Sequence, residues 1–232
     1  MRSTSGDVGG QRGTAVVIAV MAMALLTALG TGLLLMTSVD AMIAGNFRAG
    51  VEARYAAGSI AELVRLQLAG VANWDDVLNG VVRSRFADGL PVGERMLAGG
   101  ARVDLSRVVN LARCGKPAAC AGVEMDASTA RRPWGPNNPR WEPYAYGSYG
   151  ALIGRPSGTL PSLYVVALVG DDGLETDGDP LRDGGGPDNP GAGVLLIRAE
   201  AFAANGAHAI VETTVGREGA GGRLRVLSWR QL

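Results

Sequence analysis

The residues best equipped for chemistry lie in one acidic run, GDDGLETDGDPLRDGGGPDNPG at 170–191. It carries Asp171, Asp172, Glu175, Asp177, Asp179, Asp183 and Asp188 against a single base, Arg182. Such a cluster repels itself unless water or a cation neutralises it. Asp177, Asp179 and Asp183 stand at i, i+2 and i+6, and Gly178 permits a sharp turn between them. Carboxylates at alternate loop positions converge on a hard cation such as calcium, which takes about six to eight oxygens. The closing glutamate of an EF-hand is missing. Two readings stay open: a calcium loop with Asp177, Asp179 and Asp183 as ligands, or a solvated acidic connection between strands.

Other chemical groups are few. Cys114 and Cys120 are six positions apart, and in an oxidising compartment they are expected to form a small-loop disulfide. In the cytosol they would be free thiols. His208, the one histidine, follows a turn and opens a strand, so it reads as an edge residue rather than a catalyst. There is no nucleophile elbow, phosphate loop or paired histidine and carboxylate, and no enzyme is expected. Arg and Lys balance Asp and Glu at 22 each, so no global field draws nucleic acid. The basic run GREGAGGRLR reads as a hairpin with solvated arginines. The stretch RRPWGPNNPRWEPYAYGSYG at 131–150 has turn chemistry throughout. Its Trp134, Trp141, Tyr144, Tyr146 and Tyr149 either pack a loop onto the body or form a partner-binding surface.

The elements that must position these groups begin with an uncharged segment from Thr14 to Val39. As a helix it would be roughly 39 Å long, against about 30 Å of bilayer hydrocarbon. Its eleven Val, Ile and Leu residues favour insertion by several kcal/mol. It exceeds the core of a cleavable secretory signal, which runs about 7 to 15 residues. Arg2 and Arg12 favour a cytoplasmic head. Beyond Asp40, Ile43, Phe47, Val51 and Tyr55 recur every four residues, and Ile60, Leu63, Val64 and Gln67 follow. That spacing predicts an amphipathic continuation over 40–69 with one apolar face for a folded body. Gly30, Gly32, Gly45, Gly50 and Gly58 are candidate bends.

The body, 70–232, opens with a loop-rich stretch holding one or two strands. LYVVALVG at 163–170 suits a buried strand. Strands are also expected near 194–203, 208–216 and 223–231, joined by hairpins. In them Ile197, Ala199 and Ala201 share a face opposite Arg198 and Glu200; Leu224, Val226 and Ser228 share another. The fold class is therefore α+β: a long N-terminal helix packed on a small antiparallel sheet, with long irregular loops.

The head ending in Gly13, the segment RGTAVVIAVMAMALLTALG and the continuation MIAGNFRAGVEARYAAGSIAEL together resemble the N-terminus of PilX-type minor pilins of type IV pili. The tail GVLLIRAEAFAANGAHAIVETTVGREGAGGRLRVLSWRQL is similar to the C-terminal end of PilX-like assembly proteins. The first likeness covers about 10–65 and the second about 160–232; the middle carries no such likeness. The resemblance implies a pilin-like fold. It implies that 1–13 is a cytoplasmic leader, that a prepilin peptidase cuts after Gly13, and that Thr14 is then methylated. It also implies an inner-membrane anchor with its body in the periplasm, later extracted to the pilus surface. The implied partners are the membrane, inner-membrane assembly machinery and other major and minor pilins.

Two positions depart from the pattern. Major pilins carry glutamate at the fifth mature position, which is Ile18 here, pointing to a minor subunit. The family's Ala-Ala-Glu is replaced by Ala56, Ala57 and Gly58. The expected function is a structural minor pilin or pseudopilin that initiates, caps or decorates a filament. The alternative is a single-pass, periplasm-facing binding or adhesive module that never enters one.

Overall fold

The computed structural model of the chain describes residues 9–155, 162–175, 177–184, 193–218 and 223–232. It divides into two units, Met1–Phe47 and Arg48–Leu232. Helix α1, Gly9–Leu68, contributes to both. In the first unit the large apolar side chains from Val16 to Val39 are 47–73% exposed. The few polar side chains of this stretch satisfy themselves within the helix. The Thr27 hydroxyl donates to the Met23 carbonyl at 2.8 Å, Thr31 to Thr27 at 3.0 Å and Ser38 to Leu35 at 2.8 Å. Apolar surroundings demand this closure, since they offer no other partner. The helix persists through Gly30, Gly32, Gly45, Gly50 and Gly58, the candidate bend positions.

In the second unit the end of α1 turns one face inward. Ala53, Ala56, Ala57, Ile60, Ala61, Val64 and Leu68 are at most 1% exposed. Their three- and four-residue spacing puts them on one stripe. The expected stripe is corrected here, because Tyr55 is 72% exposed. A strict four-residue recurrence drifts by about 40° per step around a helix. The run from Ile43 to Tyr55 therefore walks off the buried face, and alanines take it over. Glu62 and Arg65 pair on the helix surface, with Arg65 Nε donating to Glu62 at 2.8 Å.

The buried stripe packs on an antiparallel sheet. Its strands are β3 (Glu142–Ser148), β4 (Leu163–Asp171), β5 (Val194–Ala203), β6 (His208–Glu218) and β7 (Arg223–Gln231), lying in that order. Strand β3 falls inside the aromatic stretch read as turns. Trp141, Tyr144 and Tyr146 are at most 5% exposed, so they are core rather than a docking loop. Val165, Ala167 and Val169 face the helix, while Tyr164, Val166 and Leu168 face a second core. Alternating side chains of β4 are thus covered on both faces, which is why its sequence is continuously apolar.

The second core is closed by a small layer. Strands β1 (Glu94–Met96) and β2 (Arg102–Asp104) form a hairpin, and helix α3 (Leu105–Cys114) follows. A single helical turn, α2 (Asp75–Leu78), lies earlier in the chain, just after α1. Asp104 caps α3 by accepting from the Ser106 amide at 2.9 Å, and Gly115 ends it at φ +77°. Cys114, the last residue of α3, is disulfide-bonded to Cys120 with their Cα atoms 6.0 Å apart. Closing so short a loop contributes about 2 kcal/mol. Replacing both cysteines by serine is expected to lower the melting temperature by roughly 4–8 °C. An unchanged melting curve would show that Asp104 and Gly115 hold this end of α3 without the bridge.

Ile197, Ala199 and Ala201 face the helix, and Arg198 and Glu200 lie on the far face of the sheet. The grouping of Leu224, Val226 and Ser228 is corrected. The register shifts between Thr214 and Val215, which pair with Ser228 and Val226, so Leu227 is an extra residue. This bulge sends Ser228 to the far face, where its hydroxyl meets Thr214 Oγ1 at 2.8 Å. Trp229 swings to the helix side, and a Cβ at Gly58 would lie 3.8 Å from its ring. Gly58 therefore sits beneath an indole.

Candidate functional site

The acidic connection leaves β4 at its last residue, Asp171, which is 2% exposed. The chain turns at once: the Leu174 amide donates to Asp172 Oδ1 at 3.3 Å and the Glu175 amide to the Asp172 carbonyl at 3.0 Å. Gly173 is required here. A Cβ at that position would come within 2.5 Å of the Trp134 ring, which covers the turn. Glu175 is 3% exposed, and its Oε2 accepts from the Gly184 amide at 2.9 Å. Asn137 donates its side-chain amide to the Glu175 carbonyl. Asp183 joins two elements. Its amide donates to Asp75 of α2 at 2.9 Å, and its Oδ1 accepts from Gly193, just before β5, at 2.6 Å.

These anchors bring three carboxylates together. One oxygen from each of Asp171, Glu175 and Asp183 lies within 4.8 Å of the other two. It is the one such grouping of His, Cys, Asp or Glu among the described residues. Burial pushes the Asp171 carboxyl up to about 9; the Glu175 charge adds to this, and the Asp172 amide offsets part of it. Burial also raises Asp183, against the Gly193 amide and the nearby Arg217 charge. That arginine is committed elsewhere, donating to the carbonyls of Val71 and Ala72 and stacking 3.9 Å over Trp74.

Of the three carboxylates singled out by spacing, only Asp183 belongs to this group. Asp177 is exposed, and its Oδ1 accepts from the Asp179 amide at 2.9 Å. Asp179 Oδ1 accepts from the Leu181 amide at 3.2 Å. Both side chains shape the loop as local turns. Asp188 lies outside the described residues.

No family model, curated protein or solved structure matches the chain. An oxygen-only, largely buried carboxylate cluster suits a hard cation or a trapped proton.

The remaining candidate residues belong to other elements. Gly13 and Thr14 sit near the start of α1, exposed, and a Cβ at Gly13 would meet nothing within 4 Å. Ile18 is 66% exposed in the same helix. His208 stacks on Phe202 with ring centres 4.4 Å apart, and its Nε2 lies 2.8 Å from Glu200. It belongs to a charge network that sequence reasoning missed. Arg198 lies between Glu200 at 2.7 Å and Glu212 at 2.6 Å, and Arg230 closes on Glu212 at 2.5 Å. Alternation had placed Arg198 and Glu200 on one face; the β5–β6 register, which sets Arg198 opposite Glu212, was the missing signal.

Proposed function

We infer that the chain is a structural subunit of a type IV pilus-like filament, a minor pilin or pseudopilin. One observation carries this reading: a single helix serves two surroundings. Its first part exposes apolar side chains along a length sufficient to cross a bilayer, and one stripe of its last turns is buried to 1% or less on a sheet. An anchor that must later pack against sibling helices needs this division. Its apolar surface stays available while its far end belongs to the folded body. Absence of glutamate at Ile18 fits a minor subunit rather than a shaft-forming one. The partners would be other pilins, the prepilin peptidase and the inner-membrane assembly machinery.

Mass spectrometry of the chain from sheared filaments and from membranes tests this. The expected species begins at N-methylated Thr14. Gly13→Leu is expected to leave the leader attached and keep the chain out of filaments. Because a side chain at Gly13 has open space around it, misfolding does not explain such a loss. A wild-type chain that is active with its first thirteen residues in place would instead be an anchored periplasmic binding module.

A further inference from the structure

We propose that Asp171, Glu175 and Asp183 hold one calcium ion, which ties the end of β4 to the connection leading into β5. The inference stands apart from the filament reading, since it concerns only the sheet unit. Two oxygens on one calcium ion, each at about 2.3–2.6 Å, are at most about 5 Å apart. The three carboxylates, mutually within 4.8 Å, meet that limit.

A second observation points to a ligand. Asp171 is 2% exposed, and its Oδ1 is buried with no hydrogen-bond partner among the described residues. Asn137 Oδ1, on the residue that donates to the Glu175 carbonyl, is also buried and without a partner among the described residues. Protein interiors rarely leave such acceptors unsatisfied, and a cation satisfies several at once. Asp171 and Asp183 make no ion pair among the described residues. Magnesium is the poorer occupant, because it keeps several of its waters and near-octahedral geometry. Glu175 and Asp171, each at most 3% exposed, leave little room for that shell.

The rival occupant is a proton on Asp171, and one substitution separates the two. Asp171→Asn copies the protonated acid in shape and charge. The full chain in detergent micelles, stripped with EGTA, is titrated with calcium chloride and with magnesium chloride. Binding heat and the tryptophan-monitored melting temperature are recorded. Calcium in hundredfold excess over its dissociation constant is expected to raise the melting temperature by roughly 5 °C or more, with one ion per chain. Magnesium is expected to do far less. Asp171→Asn should abolish the calcium response and match the stripped wild type in stability. If that variant does not fold, Glu175→Gln gives the same reading. The double substitution Asp177→Asn with Asp179→Asn should leave the response intact. A wild type without heat or shift at millimolar calcium would overturn the proposal. So would a response that survives Asp171→Asn or Glu175→Gln but disappears with the Asp177 and Asp179 pair.

Discussion

Replacing Leu26 and Leu29 together by arginine is expected to drive the full chain out of the membrane fraction. The eleven Val, Ile and Leu residues of Thr14–Val39 favour insertion by about 3–7 kcal/mol. Each arginine near the centre costs about 2.5–3.5 kcal/mol and removes the share of one leucine. The combined change, roughly 6–8 kcal/mol, reverses the sign of insertion. Leu26 is 68% and Leu29 57% exposed, so neither substitution disturbs packing within the chain. Alkaline carbonate extraction reads the outcome directly. The alanine counterparts lose only about 1 kcal/mol together and should remain integral. If the double-arginine chain resisted extraction as the wild type does, the segment would not be the anchor.

The long helix and the strands β4 to β7 were legible because each rests on a simple period: an apolar run, or alternation. What escaped were features set by neighbours in space. Strand β3 is interrupted by a register shift between Pro143 and Ala145, next to Gly- and Pro-rich sequence, so turn chemistry masked it. The bulge at Leu227 inverts the faces of β7, and only pairing with β6 reveals it. The alanine stripe of α1 is invisible to a search for large apolar residues, yet small side chains are what let a helix lie close to a sheet. Helix α3 did have local signals, an Asp104 cap and a Gly115 stop, within a stretch read as strand and loop.

The acidic site was half legible for the same reason. Alternate spacing picks out residues that can turn a loop, and Asp177 and Asp179 do so with backbone amides. Convergence on a single point needs something else: a carboxylate fixed at the end of a buried strand, and a chain that returns to it. Asp171 closes the apolar run LYVVALVG, a position where burial is almost assured. Asp183 returns because Asp75 and Gly193 hold it from two sides. Neither anchor is near it in the local pattern.

Truncating Arg198 to alanine is expected to destabilise the sheet unit by about 3–5 kcal/mol, because it strands charge that is already out of water. The side chains of Arg198, Glu200 and Glu212 are 16%, 5% and 13% exposed. Glu212 would keep Arg230, itself 60% exposed and weakly held, while Glu200 would keep only His208. Burial pushes the Glu200 carboxyl up, and its hydrogen bond to His208 together with the charge and hydrogen bond of Arg198 more than offsets this, leaving it below the ordinary range. A lowered carboxyl stabilises the fold above the unfolded value of about 4.3, and that contribution is lost as pH falls through the folded value. Removing Arg198 leaves burial dominant, so ionised Glu200 then penalises the folded state as pH rises. The stability gap between wild type and Arg198→Ala should therefore be widest near neutral pH and narrow as pH falls through the lowered folded value of Glu200, where that carboxyl takes up its proton. Urea unfolding across that range measures it. A gap that did not vary with pH would mean that Arg198 acts through its packed stem, and the far face of the sheet would then be held by contact rather than by charge.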